Sequence, residues 1–364
     1  MGEANGEEGS MGNTILKGRN QIMRPIQLAL IGCFALLACV SSRDANPRRP
    51  PAGSGAAQVV AAPANLPETS EVASANERTF APPPGDAAPP PVVVPWGTVG
   101  REGGTVQRLF FGLTGDTRPG ACDDTEHYPA ETIAQISRSM KALHVQFGLD
   151  LGDHMYVCNG SAEEARIQMD EYMAAIAQGP STFWMTMGNH ECGHLYHFGP
   201  CFPGDDDANF IAYMKALGRP HAFYATDIHT ALGLARFVFV ADDSWDTLQA
   251  TWLERVLTDA DINARYTIVA RHHPMDGDRN GPEQVIRMIL RHKYSLLLTA
   301  HLHTYEHNPS SLDGRTVIVG VGGGPSQSPP GFATVLQNKD ATLSFVMRDI
   351  NGNPVGEPWT VPPQ

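Results

Sequence analysis

The stretch VQFGLDLGDHMY (145–156) is an apolar run that ends on Gly-Asp, with a tyrosine three residues after Asp153. A short apolar run bounded by a turn signal is typical of a buried strand followed by a loop. An aspartate in this position is most often a turn residue, and a tyrosine is most often part of the packing. The alternative is that Asp153 and Tyr156 belong to a metal site.

The segment RLFFGLTGD (108–116) has the same composition and the same ending, and PAETIAQISRSMKAL (129–143) has helical spacing. Strand, helix and strand in this order form a β-α-β unit with parallel strands and a right-handed crossover. The alternation continues along the chain, so the sequence predicts an α/β fold. Further strands are predicted at 182–191, 235–243, 266–274, 294–303 and 316–324, further helices at 161–177, 248–260 and 282–293, and a final hairpin around NGN (351–353).

Metal-capable residues follow directly after five of these strands. The carboxyl ends of the strands form the binding edge of an α/β sheet, and five such residues in succession are not well explained by turns. Two aspartates, one asparagine and three histidines make an oxygen and nitrogen set that suits Fe, Mn or Zn. The set is too large for one tetrahedral ion, so it predicts two ions that share a carboxylate. The strand-end residues are Asp116, Asp153, Asn189 with His190, His272, and His301 with His303, and the three histidines counted as ligands are His272, His301 and His303.

Five motifs contain these residues in order. They are GDTR (115–118), GDHMY (152–156), GNHE (188–191), HHP (272–274) and AHLH (300–303). In residue types and order, the chain resembles the calcineurin-like metallophosphoesterases over about residues 107–325. The resemblance implies a four-layer α/β/β/α sandwich of two mixed sheets, and a metal-dependent phosphatase or phosphoesterase.

The second motif resembles the purple acid phosphatase branch of that superfamily. Most members have a histidine two residues after the first aspartate, and Arg118 stands there instead. In the purple acid phosphatases a tyrosine three residues after the second-motif aspartate fills the gap, and Tyr156 matches it. AHLHTYEH (300–307) and the VGVGGG that follows also resemble that branch, whereas Ala300 departs from the usual glycine.

The resemblance implies two sets of metal ligands with Asp153 shared between them. A trivalent ion lowers the pKa of a phenol enough for Tyr156 to bind. Iron(III) is expected on Asp116, Asp153, Tyr156 and His303. A divalent ion (Fe, Zn or Mn) is expected on Asp153, Asn189, His272 and His301.

The same resemblance implies hydrolysis of phosphomonoesters by a metal-bridging hydroxide, with phosphodiesters or nucleotides as the alternative substrates. His190, oriented by Glu191, is the expected general acid, and His194 and His197 are alternatives to it unless they belong to a surface loop. The planar fork of Arg118 suits a phosphate oxygen, unless it pairs with the acidic residues at 123–124. The residues expected to contact substrate are Arg118, Asn189, His194 and His273.

Two other classes of function compete with this one. HECGH (190–194) matches the zinc-protease signature H-E-x-x-H, which requires both histidines on one helix. Here it follows a predicted strand, and a protease would leave the other four motifs unexplained. A non-catalytic surface binding protein is the second alternative, but every predicted ligand is intact.

The N-terminal region predicts export. PIQLALIGCFALLACV (25–40) is uncharged, follows basic residues and is shorter than the roughly 20 residues of a membrane-spanning helix. LLAC resembles a bacterial lipoprotein box, so residues 1–39 are expected to form a signal with lipidation at Cys39. Cleavage near Ser42 is the alternative, and Met23 is an alternative start.

Residues 40–105 are rich in proline and alanine and predict a disordered tether, followed by one catalytic domain at 106–364. The formal net charge of -13 argues against nucleic acid as a partner. The expected partners are a small phosphorylated substrate and, through the lipid anchor, a membrane; no obligate protein partner is predicted. The expected location is the periplasm or cell surface of a bacterium, at the outer membrane.

Four cysteines lie outside the signal, and in an exported protein they can pair in three ways or stay free. Cys122 and Cys158 lie on loops after the first two metal motifs, on strands expected to be neighbours. Cys192 and Cys201 bracket the loop of the third motif. We expect these two pairs, which would rigidify the rim of the site.

Overall fold

The computed structural model describes residues 97–192, 201, 204, 207–274, 283–307, 314–326 and 328–364. The chain divides after residue 84 into two units, and the described residues all belong to the second unit, which is compact and spans residues 85–364. The predicted signal, Cys39, His194, His197 and most of the predicted tether lie outside the described residues. In the part that is described, no helix is both long and apolar enough to cross a membrane.

Two mixed sheets form the centre of the second unit. In chain order the strands are β1 (Gly97–Gly100), β2 (Gly103–Val106), β3 (Phe110–Thr114), β4 (Phe147–Asp150), β5 (Phe183–Met185), β6 (Tyr224–Thr230), β7 (Gly233–Phe239), β8 (Tyr266–Ala270), β9 (Leu296–Thr299), β10 (Tyr305–His307), β11 (Thr316–Val319), β12 (Gly331–Gln337), β13 (Leu343–Asp349) and β14 (Trp359–Val361). Among the described residues, the larger sheet has the order β1-β2-β6-β7-β8-β9-β11-β10 and the smaller has β14-β13-β12-β3-β4-β5.

The strands that lead to the predicted site are parallel. In the smaller sheet β3, β4 and β5 run parallel, and β12 closes against β3 in the antiparallel direction. In the larger sheet β7, β8, β9 and β11 run parallel. The carboxyl ends of parallel strands meet at one edge, so each sheet brings several loops together there.

Helices cover the outer face of each sheet. They are α1 (Ala130–Ala142), α2 (Ala162–Ile176), α3 (Ala208–Leu217), α4 (Thr247–Asn263) and α5 (Glu283–Ile289). On α1, Ile136 and Met140 pack with Phe332 of the smaller sheet. On α4, Leu253 and Leu257 pack with residues of β7, β8 and β9. The predicted four-layer α/β/β/α sandwich is confirmed.

An aromatic cluster joins the inner faces of the two sheets. The ring of Phe237 in the larger sheet lies 5.3 Å from Phe111, 5.4 Å from Phe147 and 5.4 Å from Trp184 in the smaller sheet. Each of these rings is almost completely buried. Burial of a large apolar side chain contributes about 1.5–3 kcal/mol, so this cluster is a main contact between the sheets.

Gly112 in the middle of β3 allows the close approach of α1. A Cβ atom at this position would lie 2.7 Å from the Sδ atom of Met140. The residues on either side, Phe111 and Leu113, are fully buried. Alternate residues of β3 therefore have different roles. Phe111 and Leu113 fill the core between the sheets, and Gly112, on the opposite face, leaves space for α1.

The terminal hairpin predicted around NGN is confirmed, because β13 and β14 pair antiparallel with Leu343 opposite Val361. The predicted C-terminal boundary of the tether, residue 105, is wrong. Residues 97–106 were predicted to be mostly tether, but they form the antiparallel pair β1 and β2 at the edge of the larger sheet. GTVGREGGTV has no alternation of apolar and polar residues, so nothing in it predicted a strand. Strands β6 and β12 were also not predicted.

Both expected disulfides form. Cys122 pairs with Cys158 at a Cα–Cα distance of 5.8 Å, and Cys192 pairs with Cys201 at 5.6 Å. The first bridge joins the loops after β3 and β4. Two hydrogen bonds reinforce it. The Asp123 N–H donates to the Tyr156 carbonyl (2.9 Å), and the Cys158 N–H donates to the Asp123 carboxylate (2.7 Å). The segment that contains Tyr156 is therefore tied to the first motif.

Candidate active site

The strand-end residues predicted as ligands converge at one place. His272 Nε2, after β8 of the larger sheet, lies 3.3 Å from Asp153 Oδ1, after β4 of the smaller sheet. His303 Nε2 lies 3.9 Å from Asp116 Oδ1. The loops that follow strands of the two sheets thus meet in a single cluster, as expected for residues at the carboxyl ends of parallel strands.

The backbone is strained at four of these residues. Asp116, Asp153, His301 and His303 have φ angles of 55°, 62°, 70° and 53°. Non-glycine residues rarely adopt this left-handed region, and doing so costs about 1–3 kcal/mol each. Such strain persists where the surroundings fix the side chain in place, and here it turns each side chain towards the cluster.

Asn189, His272 and His301 form one compact group of donor atoms. Asn189 Oδ1 lies 3.2 Å from His272 Nε2 and 2.9 Å from His301 Nδ1, and the two histidine nitrogens are 3.3 Å apart. Ligand atoms around one ion bound at about 2.0–2.2 Å lie roughly 3.0–3.5 Å from one another. Together with Asp153 Oδ1, this group has the spacing of a coordination shell.

Asp116, Asp153 and His303 form the second group, with one ligand atom of each within 4.8 Å of the others. Asp116 is 1% exposed, and neither of its carboxylate oxygens has a hydrogen-bond partner among the described residues. A buried carboxylate without partners is costly unless a cation compensates it. Gly320 leaves space for it, because a Cβ atom there would overlap Asp116 Oδ2. The donor set therefore fits a metal ion.

Two histidines are oriented by backbone carbonyls. His272 Nδ1 donates to the Leu151 carbonyl (2.7 Å), and His303 Nδ1 donates to the carbonyl of Pro325. Each contact leaves Nε2 facing the carboxylates. Hydrogen bonds of this kind fix the tautomer and the ring orientation of metal-binding histidines.

The two carboxylates of the cluster have pKa values shifted in opposite directions. Burial raises the pKa of Asp116 to about 7, and the nearby Asp153 adds to this rise. Burial also acts to raise the pKa of Asp153, but His272, His190 and Arg118 hold it well below its ordinary value. The Asp153 carboxylate is therefore the charged centre around which the other groups are arranged.

Arg118 and Tyr156 border the Asp116 group. The Arg118 guanidinium lies 4.4 Å over the Tyr156 ring, and that ring meets His190 edge-on at 4.3 Å. Arg118 Nε is 3.4 Å from Asp153 Oδ2, so the guanidinium pairs with a predicted ligand. The alternative in which Arg118 pairs with the acidic residues at 123–124 is not what the structure shows.

His190 and His273 lie at the rim of the cluster. His190 Nε2 is 3.7 Å from Asp153 Oδ2, and burial lowers the pKa of His190 to about 4. His273 Nε2 is 2.8 Å from Asp243 Oδ2, and its ring lies 4.4 Å from the ring of His301. The pairing with Asp243 was not predicted, because the aspartate comes thirty residues earlier in the chain.

Glu191 was predicted to orient His190, and this is wrong. Its carboxylate accepts hydrogen bonds from the backbone N–H groups of Gly188 (2.6 Å), Asp153 (3.0 Å) and His154 (2.6 Å). Glu191 is completely buried, so it depends on these donors. It fixes the backbone that carries Asp153 rather than the side chain of its neighbour.

His154 links Glu191 to Asp150 in a buried charged triad that the sequence did not predict. His154 Nδ1 is 3.1 Å from Glu191 Oε1, and Nε2 is 3.2 Å from Asp150 Oδ1. Burial opposes the charged imidazolium, but Asp150 and Glu191 raise the pKa of His154 to about 10. The sequence feature that could have indicated this pair is the spacing of four residues between Asp150 and His154, across the end of β4.

The protease alternative is contradicted by the backbone of its motif. Asn189–Glu191 forms a single 3-10 turn, and Cys192 is extended, with φ -100° and ψ 98°. An α-helix through His190 is therefore not formed, and the H-E-x-x-H geometry requires one.

The sequence profile of the calcineurin-like phosphoesterase family matches residues 111–305, more than half of the chain. The chain therefore belongs to this family. No protein of curated function shows significant sequence similarity to it.

Solved structures share the fold at low sequence identity. A purple acid phosphatase from yellow lupin (Lupinus luteus) seeds is 18% identical, with a TM-score of 0.50, over 70% of this chain and 53% of that one. A dimetal phosphatase from Danio rerio is 16% identical, with a TM-score of 0.50, over 70% of this chain and 99% of that one. GAP50, the anchor in the inner membrane complex of Plasmodium, is 14% identical, with a TM-score of 0.51, over 71% of this chain and 89% of that one. The chain thus spans about half of the lupin protein.

We predict that Glu191→Gln lowers the free energy of unfolding by about 3–5 kcal/mol, because it removes one member of a buried charged network. The amide would also present N–H groups to backbone N–H groups. His154→Gln should cost a similar amount, and the double variant should cost clearly less than the sum. Urea denaturation of the metal-free protein measures all three.

Glu283→Gln is the matched control, since Glu283 pairs with Arg287 on the surface, and it should stay within about 0.5 kcal/mol of the native protein. Additive effects of the two buried substitutions would contradict the coupling between Glu191 and His154.

Proposed function

We propose that this protein is an exported phosphoesterase that hydrolyses phosphomonoesters at a dinuclear metal centre. The observation that carries this is the convergence of Asp116, Asp153, Asn189, His272, His301 and His303 at one sheet edge. Two sets of donors meet there, and Asp153 contacts both. The proposed metals are iron(III) on the Asp116 side, with Tyr156 as a ligand, and Fe, Zn or Mn on the Asn189 side.

Bound metal ions would supply Lewis acidity and lower the pKa of water at neutral or acid pH. The protein holds the ligands ready for this role. Asn189 Oδ1 faces His272 and His301, so its amide nitrogen is directed away from them and is available to a phosphate oxygen. His273, whose ring lies 4.4 Å from that of His301, remains a proposed contact to the substrate.

His190 remains the proposed proton donor to the leaving group. Because burial lowers its pKa to about 4, the protonated form that can donate is populated mainly at acid pH. Its backbone N–H donates to Asp153 Oδ1 (3.0 Å), and its carbonyl accepts from Asn209 Nδ2 (2.9 Å). These contacts, rather than Glu191, hold His190 beside the Asp153 carboxylate, which both metal ions would share. In the proposed mechanism, a phosphoester bound across the two donor sets presents its leaving oxygen to His190, whose Nε2 is 3.7 Å from Asp153 Oδ2.

Export is supported by the two disulfides, since such bonds persist in oxidising compartments. The proposed signal at 1–39, the lipid on Cys39 and the tether up to about residue 96 would place the catalytic domain outside the cytoplasm. The formal net charge of -13 argues against nucleic acid as a partner, so the proposed partner is a small phosphorylated substrate.

A non-catalytic binding protein is the rival function, because the fold is also found in GAP50, the anchor in the inner membrane complex of Plasmodium. The complete ligand set supports catalysis over this alternative. Metal content separates the two, since a decayed site should not retain metal ions in stoichiometric amounts.

We predict that a soluble form spanning residues 40–364 hydrolyses p-nitrophenyl phosphate with a higher kcat/KM than bis-p-nitrophenyl phosphate. Asp153→Asn should lower kcat/KM by roughly 100-fold or more, because the shared carboxylate is lost from both donor sets. Release of p-nitrophenol across a range of pH measures both effects.

Asp340→Asn changes a carboxylate in an exposed turn outside the cluster, and it should leave kcat/KM unchanged. A preference for the diester would contradict the monoesterase assignment and favour nucleotides or other diesters. Hydrolysis that survives Asp153→Asn would contradict the site itself.

We further predict that protein loaded with iron(III) has a visible tyrosinate-to-metal absorption band, and that Tyr156→Phe abolishes it, because the phenolate is the donor of that transition. The matched control is Tyr128→Phe, which removes a buried hydroxyl bonded to the His154 carbonyl and should keep the band. A band that persists in Tyr156→Phe would remove Tyr156 from the ligand set.

A further inference from the structure

Arg118 occupies the position where most of the superfamily has a histidine, and its side chain is directed into the Asp116 group. Nη2 is 3.2 Å from His303 Nε2, and Nε is 3.4 Å from Asp153 Oδ2. The guanidinium also covers the Tyr156 ring. Arg118 therefore contacts three of the four residues proposed to bind the first metal ion.

The arginine is part of the buried cluster and not a surface residue beside it. Arg118 is 8% exposed, and Nη1 donates to the Pro119 carbonyl (3.1 Å), which fixes the direction of the fork. A guanidinium keeps its charge at all relevant pH values. It thus places a permanent positive charge beside Asp153 and His303, two members of the Asp116 group.

The positive charge of Arg118 compensates the buried negative charge of the cluster. Asp116 and Asp153 are each 1% exposed, and two buried carboxylates in one site repel each other unless a cation lies near them. Asp153 receives hydrogen bonds from the protein, whereas the Asp116 oxygens receive none among the described residues. The Asp116 side therefore depends most on an added positive charge.

The Asn189 group differs from the Asp116 group in its relation to Arg118. The donor atoms of Asn189, His272 and His301 face one another at 2.9–3.3 Å. The contacts of Arg118 are with Asp153, His303, Tyr156 and Pro119. A metal ion can enter the Asn189 group without displacing Arg118, but it cannot enter the Asp116 group without competing with this side chain.

We propose that Arg118 is an internal cation that balances the Asp116 group in the metal-free protein and that must be displaced when this group binds its ion. The proposal rests on the ligand assignment in the proposed function. It follows that the two sites fill in order, the Asn189 group first and the Asp116 group at higher metal concentration. The displaced fork then remains beside the site, where it can bind a phosphate oxygen.

The test titrates Zn²⁺ into chelator-treated full-length protein by calorimetry, with bound metal counted by mass spectrometry. The native protein should bind two ions with clearly separated affinities. Arg118→His removes the competing charge and adds a ligand, so the weaker affinity should rise by about 10–100-fold while the stronger one stays nearly constant. Arg118→Lys, which keeps a charge, should behave more like the native protein.

Thermal unfolding supplies a second readout. Arg118→Ala should lower Tm of the metal-free protein by about 5 °C or more, because the carboxylates lose their cation, and should change Tm of the zinc-loaded protein much less. Arg236→Ala is the control. Arg236 pairs with Asp227 and Asp259 outside the cluster, so its loss should lower both Tm values equally.

Two results would overturn the role of Arg118. One is two bound ions with the same affinities in the native protein and Arg118→His. The other is an equal loss of Tm in the metal-free and loaded forms of Arg118→Ala. If neither protein bound an ion, the dinuclear centre itself would be wrong, and the displacement role would fail with it.

Discussion

The buried carboxylate of Asp153 is the contact on which the site depends. Its two oxygens face His272, the His190 N–H and Arg118, so it belongs to both groups of donor atoms. Its own N–H donates to Glu191, which also holds Gly188. One residue thus connects the loops after β4, β5 and β8. A displacement of this carboxylate would separate the two groups.

The fold supplies the rigidity that this arrangement requires. Four cluster residues have left-handed φ angles, and several ionisable groups are buried, which together cost several kcal/mol. The large aromatic core between the sheets offsets this cost, and the Cys122–Cys158 bridge ties the first two motif loops. The His154 triad acts beneath the cluster, where it orients Glu191. The stability of the site therefore comes from groups that never meet substrate.

The convergence of the strand-end residues and the cysteine pairs could be predicted from the sequence, because each depends on a pattern within a short segment. A strand followed by Asp, Asn or His is visible in ten residues, and the parallel order of strands then brings those ends together. The cysteine pairs followed from the loops on which they lie. The strands β1 and β2 were missed because a glycine-rich edge has no hydrophobic alternation.

Pairings across the fold could not be predicted in this way. Glu191 lies next to His190 in the chain, but its carboxylate points to the backbone of Asp153, and only packing decides between the two. His273 with Asp243 and His154 with Glu191 join segments that are distant in sequence. The direction of Arg118 is a third case, because the sequence shows a missing histidine and not where the replacing side chain lies.

Anomalous diffraction from crystals saturated with Zn²⁺ tests the dinuclear centre most directly. The expected result is two peaks, one beside Asn189, His272 and His301 and one beside Asp116 and His303, with the Asp153 carboxylate between them. A single peak away from Asp153, or no peak among these residues at saturating metal, would contradict the shared-carboxylate centre and the function proposed from it.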